Sequence, residues 1–173
     1  MKKNVIIRFI LAALCLALAL PCALAETREG TIWLEGMEET IEETLFESPE
    51  GFTFWYASES LSAEMDAIDE VEGAIVRNIY SDDYMLLCMI SEEEALELTK
   101  DLEGSIAEQS AAERVQVQVT CELEDGIFHF LTLVAENGRY LRATGAYSQE
   151  AAEGTAKYFD HILGTVAFAP AAE

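Results

Sequence analysis

The longest regular pattern of apolar and polar positions spans residues 114–147 and predicts three antiparallel strands joined by two tight turns. Residues 114–124 alternate strictly, with Val115, Val117, Val119, Cys121 and Leu123 on one side and Gln116, Gln118, Thr120 and Glu122 on the other. That is the period of a half-buried strand. Asp125-Gly126 and Asn137-Gly138 then divide off residues 127–135 and 139–147. Such dipeptides between apolar runs mark hairpins, because type I′ turns need positive φ at both central residues.

Two-residue turns fix a register. It is expected to set Leu123 opposite Phe128, Cys121 opposite Phe130, Val119 opposite Thr132 and Val117 opposite Val134. Across the second turn it pairs Val134 with Leu141, Thr132 with Ala143, Phe130 with Gly145 and Phe128 with Tyr147. One face is then apolar over all three strands, as a core face must be. The small Ala143 and Gly145 on that face leave room for a helix to approach. The opposite face is mixed: Glu122 falls opposite His129, and Arg142 lies opposite Leu133, beside Gln118 one strand further on. Polar groups over an apolar floor have the make-up of a binding surface. The same pattern suits a face that is half exposed or covered by other parts of the chain. Gln118, Thr120, Glu122, His129 and Arg142 are the candidate ligand-binding residues, with no catalytic or metal-binding residue assigned.

Upstream, residues 31–34, 38–47 and 51–56 predict the first strands. The middle one has two readings, since Met37, Ile41 and Leu45 recur at helical spacing while Thr40, Thr44 and Phe46 favour a strand. Gly36 and Ser48-Pro49-Glu50-Gly51 look like turns on either side and favour the strand. The aromatics of residues 51–56, with Trp33, are expected to pack in core and sheet. Residues 58–72 suggest a short helix about Leu61, Met65 and Ile68. Its acids lack the alternating ligands and central glycine of an EF-hand loop, so they read as a solvated charged stretch. Residues 73–80 and 84–90 are the next strands. The second, Tyr84 to Ile90, is apolar on both faces, which calls for a central strand covered on each side and a layered sandwich.

Two long helices complete the pattern. The first starts after Ser91, an N-cap with Glu94 in capping-box position, and buries Ala95, Leu98, Leu102 and Ile106 before fading near Ala112. Gly104 inside it weakens it. The second covers residues 148–163 after Ser148, with Ala152, Ala156, Phe159, Ile162 and Leu163 inward and His161 at the boundary. A last strand over residues 165–168 follows Gly164.

Residues 1–25 read as a secretory leader: Lys2, Lys3 and Arg8, an apolar stretch over residues 9–20, and Ala23-Leu24-Ala25 as the cleavage signal. Pro21 before Cys22 departs from a lipobox. Export as a single α+β domain over residues 26–173 is therefore expected, with no stable membrane insertion after cleavage. Beyond the leader remain seven basic and 33 acidic residues, a formal charge of −26. Such a field excludes nucleic acid and anionic lipid and favours cations or basic partners. A monomer is expected. Cys88 and Cys121 sit at strand positions facing the core and are expected as two free buried thiols, although export permits a bridge.

Familiar chemistry is missing. There is no G-x-G-x-x-G or P-loop, no C-x-x-C or H-E-x-x-H, and no G-x-S-x-G. No cofactor is implied. The expectation is a non-catalytic binding or accessory domain for an unknown protein or small ligand. The competing classes are a small hydrolase using Glu122 and His129, and an acidic cation-binding surface protein.

Two stretches carry a family resemblance. Ser48-Pro49-Glu50-Gly51-Phe52-Thr53-Phe54-Trp55-Tyr56 resembles the strand that opens PsbP-like domains, and residues 158–168 are similar to their closing helix and strand. That group also takes in DcrB-like and Ran-binding Mog-type proteins. The resemblance implies an antiparallel sheet with helices on both faces, an α/β/α sandwich, and a binding or assembly role without catalysis. It transfers no functional residue. Ala57 stands where the family often has proline, and the hairpin-like residues 31–47 are additional.

Overall fold

The computed structural model describes residues 25–102 and 105–169. The segment expected as a leader, but for Ala25, and Gly104 lie outside the described residues. Among the described residues, ten strands and three short α-helices follow in the order β1 Thr27–Leu34, β2 Met37–Glu47, β3 Phe52–Ala57, β4 Leu61–Ile68, β5 Val71–Asn78, β6 Tyr84–Ile90, α1 Glu92–Leu98, α2 Ile106–Ala112, β7 Val115–Glu124, β8 Ile127–Glu136, β9 Arg139–Ser148, α3 Thr155–Thr165 and β10 Ala167–Phe168. They form a four-stranded sheet in the order β1-β2-β3-β10 and a six-stranded sheet in the order β4-β5-β6-β9-β8-β7.

This corrects the expected α/β/α sandwich. Strands make up 56% and helices 19% of the described residues, so two antiparallel sheets, not helical layers, build the body. The main core joins Phe52 and Phe54 of the small sheet to Leu61, Val76, Met85, Leu87, Val134 and Leu141 of the large one, with Phe159, Ile162 and Leu163 of α3 completing it. The aromatic strand therefore belongs to a second sheet packed on the first. A smaller cluster, on the other face of the large sheet, packs Ala95 and Ile106 of α1 and α2 on Leu133, Ala135 and Tyr140.

Strand β6 is central as its two apolar faces require: Met85, Leu86, Leu87 and Cys88 are all buried, and β5 and β9 flank it. The helical expectation for residues 58–72 is overturned. That stretch is β4 and the start of β5, paired from Leu61↔Asn78 to Ile68↔Val71. Its turn residues Asp69 and Glu70 take φ of 50° and 67°, a left-handed pair supplied without glycine or asparagine. The long helix after Ser91 also breaks. Ser91 does cap α1 by accepting from Glu94 N–H, but α1 ends at the Thr99 cap and α2 starts afresh at Ile106. Likewise Ser148 caps only a 3₁₀ turn, Gln149–Ala151, before α3 begins at Thr155.

The β7–β9 meander is present, with positive φ at Asp125, Gly126, Asn137 and Gly138 as type I′ turns demand. The register across β8 and β9 is as expected throughout. Across β7 and β8 it holds for Leu123↔Phe128, Cys121↔Phe130 and Glu122↔His129, then slips at a bulge between Gln118 and Thr120. Beyond it the pairs are Gln118↔Thr132, Val117↔Leu133 and Gln116↔Val134, not Val119↔Thr132 and Val117↔Val134. An extra residue in one strand inverts every later side chain. Gln118 and Gln116 thus join the main-core side, and Val115, Val117 and Val119 pack toward the α1–α2 cluster.

Cys88 and Cys121 are both free, but only Cys88 is buried. Cys121 points to the core side from β7, an edge strand, and is exposed there. Trp33, expected in the packing, is instead 61% exposed.

Candidate functional site

The outer face of the large sheet can be read in rows. Cys88, Arg142, Leu133 and Val117 make one row, Leu86, Thr144, Leu131 and Thr120 the next, and Tyr84, Ala146, His129 and Glu122 the third. Helices α1 and α2 pack over the first of these and touch Leu131 in the second. The third row lies beyond them. There a groove of about 430 Å³ opens between the Ser81–Asp83 turn and the strands, floored by Tyr84, Ala146 and Ile127 and edged by His129. Its volume falls within the range of small-molecule and peptide-anchor sites. His129 is exposed at its margin, its cross-strand partner Glu122 is exposed beside it on β7, and Ile127 is 42% exposed.

The wall of this groove is built by Asp83, which is 5% exposed. One carboxylate oxygen accepts from Ser81 Oγ at 2.8 Å and Thr155 Oγ1 at 2.9 Å, and the other from Ser148 N–H at 2.9 Å. Asn78 Nδ2 donates in turn to Thr155 Oγ1 at 2.9 Å. A single carboxylate thus ties the β5–β6 turn to the end of β9 and the first residue of α3.

The five candidates read from the sequence separate in space. Glu122, His129 and Thr120 share the outer face, where Glu122 and His129 are cross-strand partners as expected. Arg142 is on that face but under α1, its Nη1 2.5 Å from Glu94 Oε1 with only 21% of the side chain exposed. It also lies beside Cys88, whose thiol burial pushes up while Arg142 pulls it back. Gln118 is carried by the bulge to the opposite face.

There Gln118 lines a small cavity of about 110 Å³ with Thr132, Tyr147, Phe159 and Asp160. Burial raises the Asp160 carboxyl, offset by the Lys157 ammonium. The Tyr147 phenol is pushed up to about 12, first by burial, then by the charge of Cys121 and a hydrogen bond with it, and last by Asp160. A phenol whose folded value lies above its ordinary 10.0 adds stability below pH 10 that is lost as pH climbs toward 12. Alkaline titration followed by phenolate absorbance should therefore show a late step that Tyr147→Phe removes. Its persistence in that variant would reassign it to another buried phenol, such as Tyr56, which burial also raises.

A second polar cluster gave no signal in the sequence. Glu43 is fully buried in β2, accepts from Arg28 Nε at 2.7 Å through one oxygen, and bonds His161 Nε2 through the other. The Arg28 guanidinium lies 4.1 Å over the Trp55 ring. Gly30 makes room for the carboxylate, since a Cβ there would fall 2.3 Å from Glu43 Cδ. Both oxygens are engaged and both partners are structural neighbours, so this cluster joins α3 to the small sheet. Among the described residues no three His, Cys, Asp or Glu side chains converge as a metal site. No helix among them is long and apolar enough to cross a membrane.

No family model matches the chain, and no curated protein matches it. Among solved structures it is similar to cyanobacterial PsbP (CyanoP) from Synechocystis sp. PCC 6803, at 9% identity and a TM-score of 0.38, over 86% of this chain and 95% of that one. A likeness of that size assigns the chain to no family.

Proposed function

We propose that this chain is an exported, non-catalytic binding domain that takes a cationic segment of a partner protein into the groove of the third sheet row. The observation that carries the reading is the groove itself, with an apolar floor of Tyr84, Ala146 and Ile127, a rim of His129 and Asp82, and Glu122 next to His129 on β7. An apolar floor supplies burial, and rim carboxylates select the sign of the partner's charge. The strongly acidic chain steers a basic segment toward the surface and repels an acidic one. Arg142 takes no part, because Glu94 already neutralises it under α1.

The test is to titrate isotope-labelled protein with Lys- and Arg-rich peptides, each carrying one aromatic residue. Saturable amide shifts confined to the Tyr84, His129 and Ala146 row, weakened by Glu122→Gln and Ala146→Glu, support the reading. Weak shifts spread over the whole acidic surface would overturn it.

A further inference from the structure

A different site is carried by the β1–β2 hairpin tip. The pleat of β1 turns Ile32 inward, 4% exposed, and leaves Trp33 outward, 61% exposed. The turn beyond it is Glu35-Gly36, with φ of 51° and 80°, and a Cβ on Gly36 would meet nothing within 4 Å. A two-residue turn of this kind holds the tip in one shape. Facing it are Glu153, just before α3, and Lys157 in the first turn of α3. Trp33, Glu35, Gly36, Glu153 and Lys157 together line an open cleft of about 480 Å³.

The chemistry of this lining is selective. Trp33 is its one large apolar wall, so an apolar ligand would cover two carboxylates and an ammonium without replacing their water, at a desolvation cost. A cationic segment, though drawn by the acidic field, would meet Lys157 beside the indole, and an anion would meet Glu35, Glu153 and that field. What matches both signs and a single flat indole is a neutral ligand with one apolar face and a periphery of hydroxyls. A pyranose ring has that form: its axial C–H bonds lie on the indole, and its hydroxyls donate to Glu35 and Glu153 and accept from Lys157. We propose that the cleft at the β1–β2 tip is a binding site for a neutral sugar unit of a glycan. The site is separate from the groove on the large sheet and does not depend on it.

The experiment titrates the full exported chain with neutral tetrasaccharides of glucose, mannose and N-acetylglucosamine, read by tryptophan fluorescence and by calorimetry. Saturable binding to at least one is expected, weakened about tenfold or more by Trp33→Ala and clearly reduced by Glu153→Gln. Trp55→Phe should retain it, because Trp55 lies under Arg28. Trp33 is exposed, so the Trp33→Ala fold is checked by an unchanged melting temperature. No saturable binding at millimolar sugar would overturn the proposal, as would binding indifferent to Trp33→Ala. Capture by Trp33 of a cationic peptide but of no sugar would also overturn it, in favour of a protein partner.

Discussion

Gly145→Ala is expected to destabilise the fold by about 3 kcal/mol or more, lowering the melting temperature by roughly 10 °C. Gly145 lies on β9 between Met85 of β6 and Phe130 of β8. A Cβ there would stand 2.2 Å from the Tyr84 carbonyl oxygen and 2.9 Å from two carbons of the Phe130 ring. The ring could turn, but the carbonyl belongs to a central strand and cannot move without opening the β6–β9 ladder. The position was expected to admit a helix; what it admits is a neighbouring carbonyl and an aromatic ring. Urea unfolding of the variant measures the cost. A midpoint equal to that of the parent would mean that the two strands part freely at this point.

Asp83→Ala should cost about 3–5 kcal/mol, because it strips a buried carboxylate from three donors at once. Ser148 N–H and the Thr155 hydroxyl lose their acceptor, and the turn that walls the groove comes free of β9 and α3. Asp83→Asn is the milder change. Its carbonyl oxygen still serves Ser148 N–H, but its amide faces the two hydroxyls, and the Asn78 amide already occupies Thr155. Unfolding measurements should rank the parent above Asn and Asn above Ala, with faster amide exchange at Ser148 in the alanine variant. Near-neutral behaviour of the alanine variant would remove Asp83 from its role as the tie between three elements.

The turns of the meander were legible because type I′ geometry restricts their residues so sharply. The bulge was not. Strand β8 is apolar on both faces, with Leu131, Leu133 and Ala135 on one and Phe130, Thr132 and Val134 on the other. The valines of β7 could therefore serve either face, and alternation alone placed them on the wrong one beyond Gln118. Strand β4 was hidden by a turn made of Asp69 and Glu70, residues that ordinarily announce solvent, not a hairpin. The second sheet escaped notice because β10 is two residues long and closes on β3 from the far end of the chain. Of the candidate site, the Glu122–His129 pairing was readable from the two-residue Asp125-Gly126 turn. The Asp83 tie and the Glu43–His161 bond were not, since their partners lie 72 and 118 residues apart.

The placement of the basic residues has a consequence for how the folded chain meets a protease. Arg28, Arg77, Arg139 and Arg142 lie within paired strands, and Arg114 holds the carbonyls of Leu163 and Gly164 at the end of α3. Arg139 likewise grips Gly51 and Ala169 carbonyls beside β10, and Lys157 is inside α3. Lys100 alone among the described lysines and arginines stands exposed in a turn, between α1 and α2. Trypsin acting on the folded protein should therefore nick it once, after Lys100, and then stall. The two pieces should stay together on a sizing column, because β6 pairs with β9 and β3 with β10 across the break.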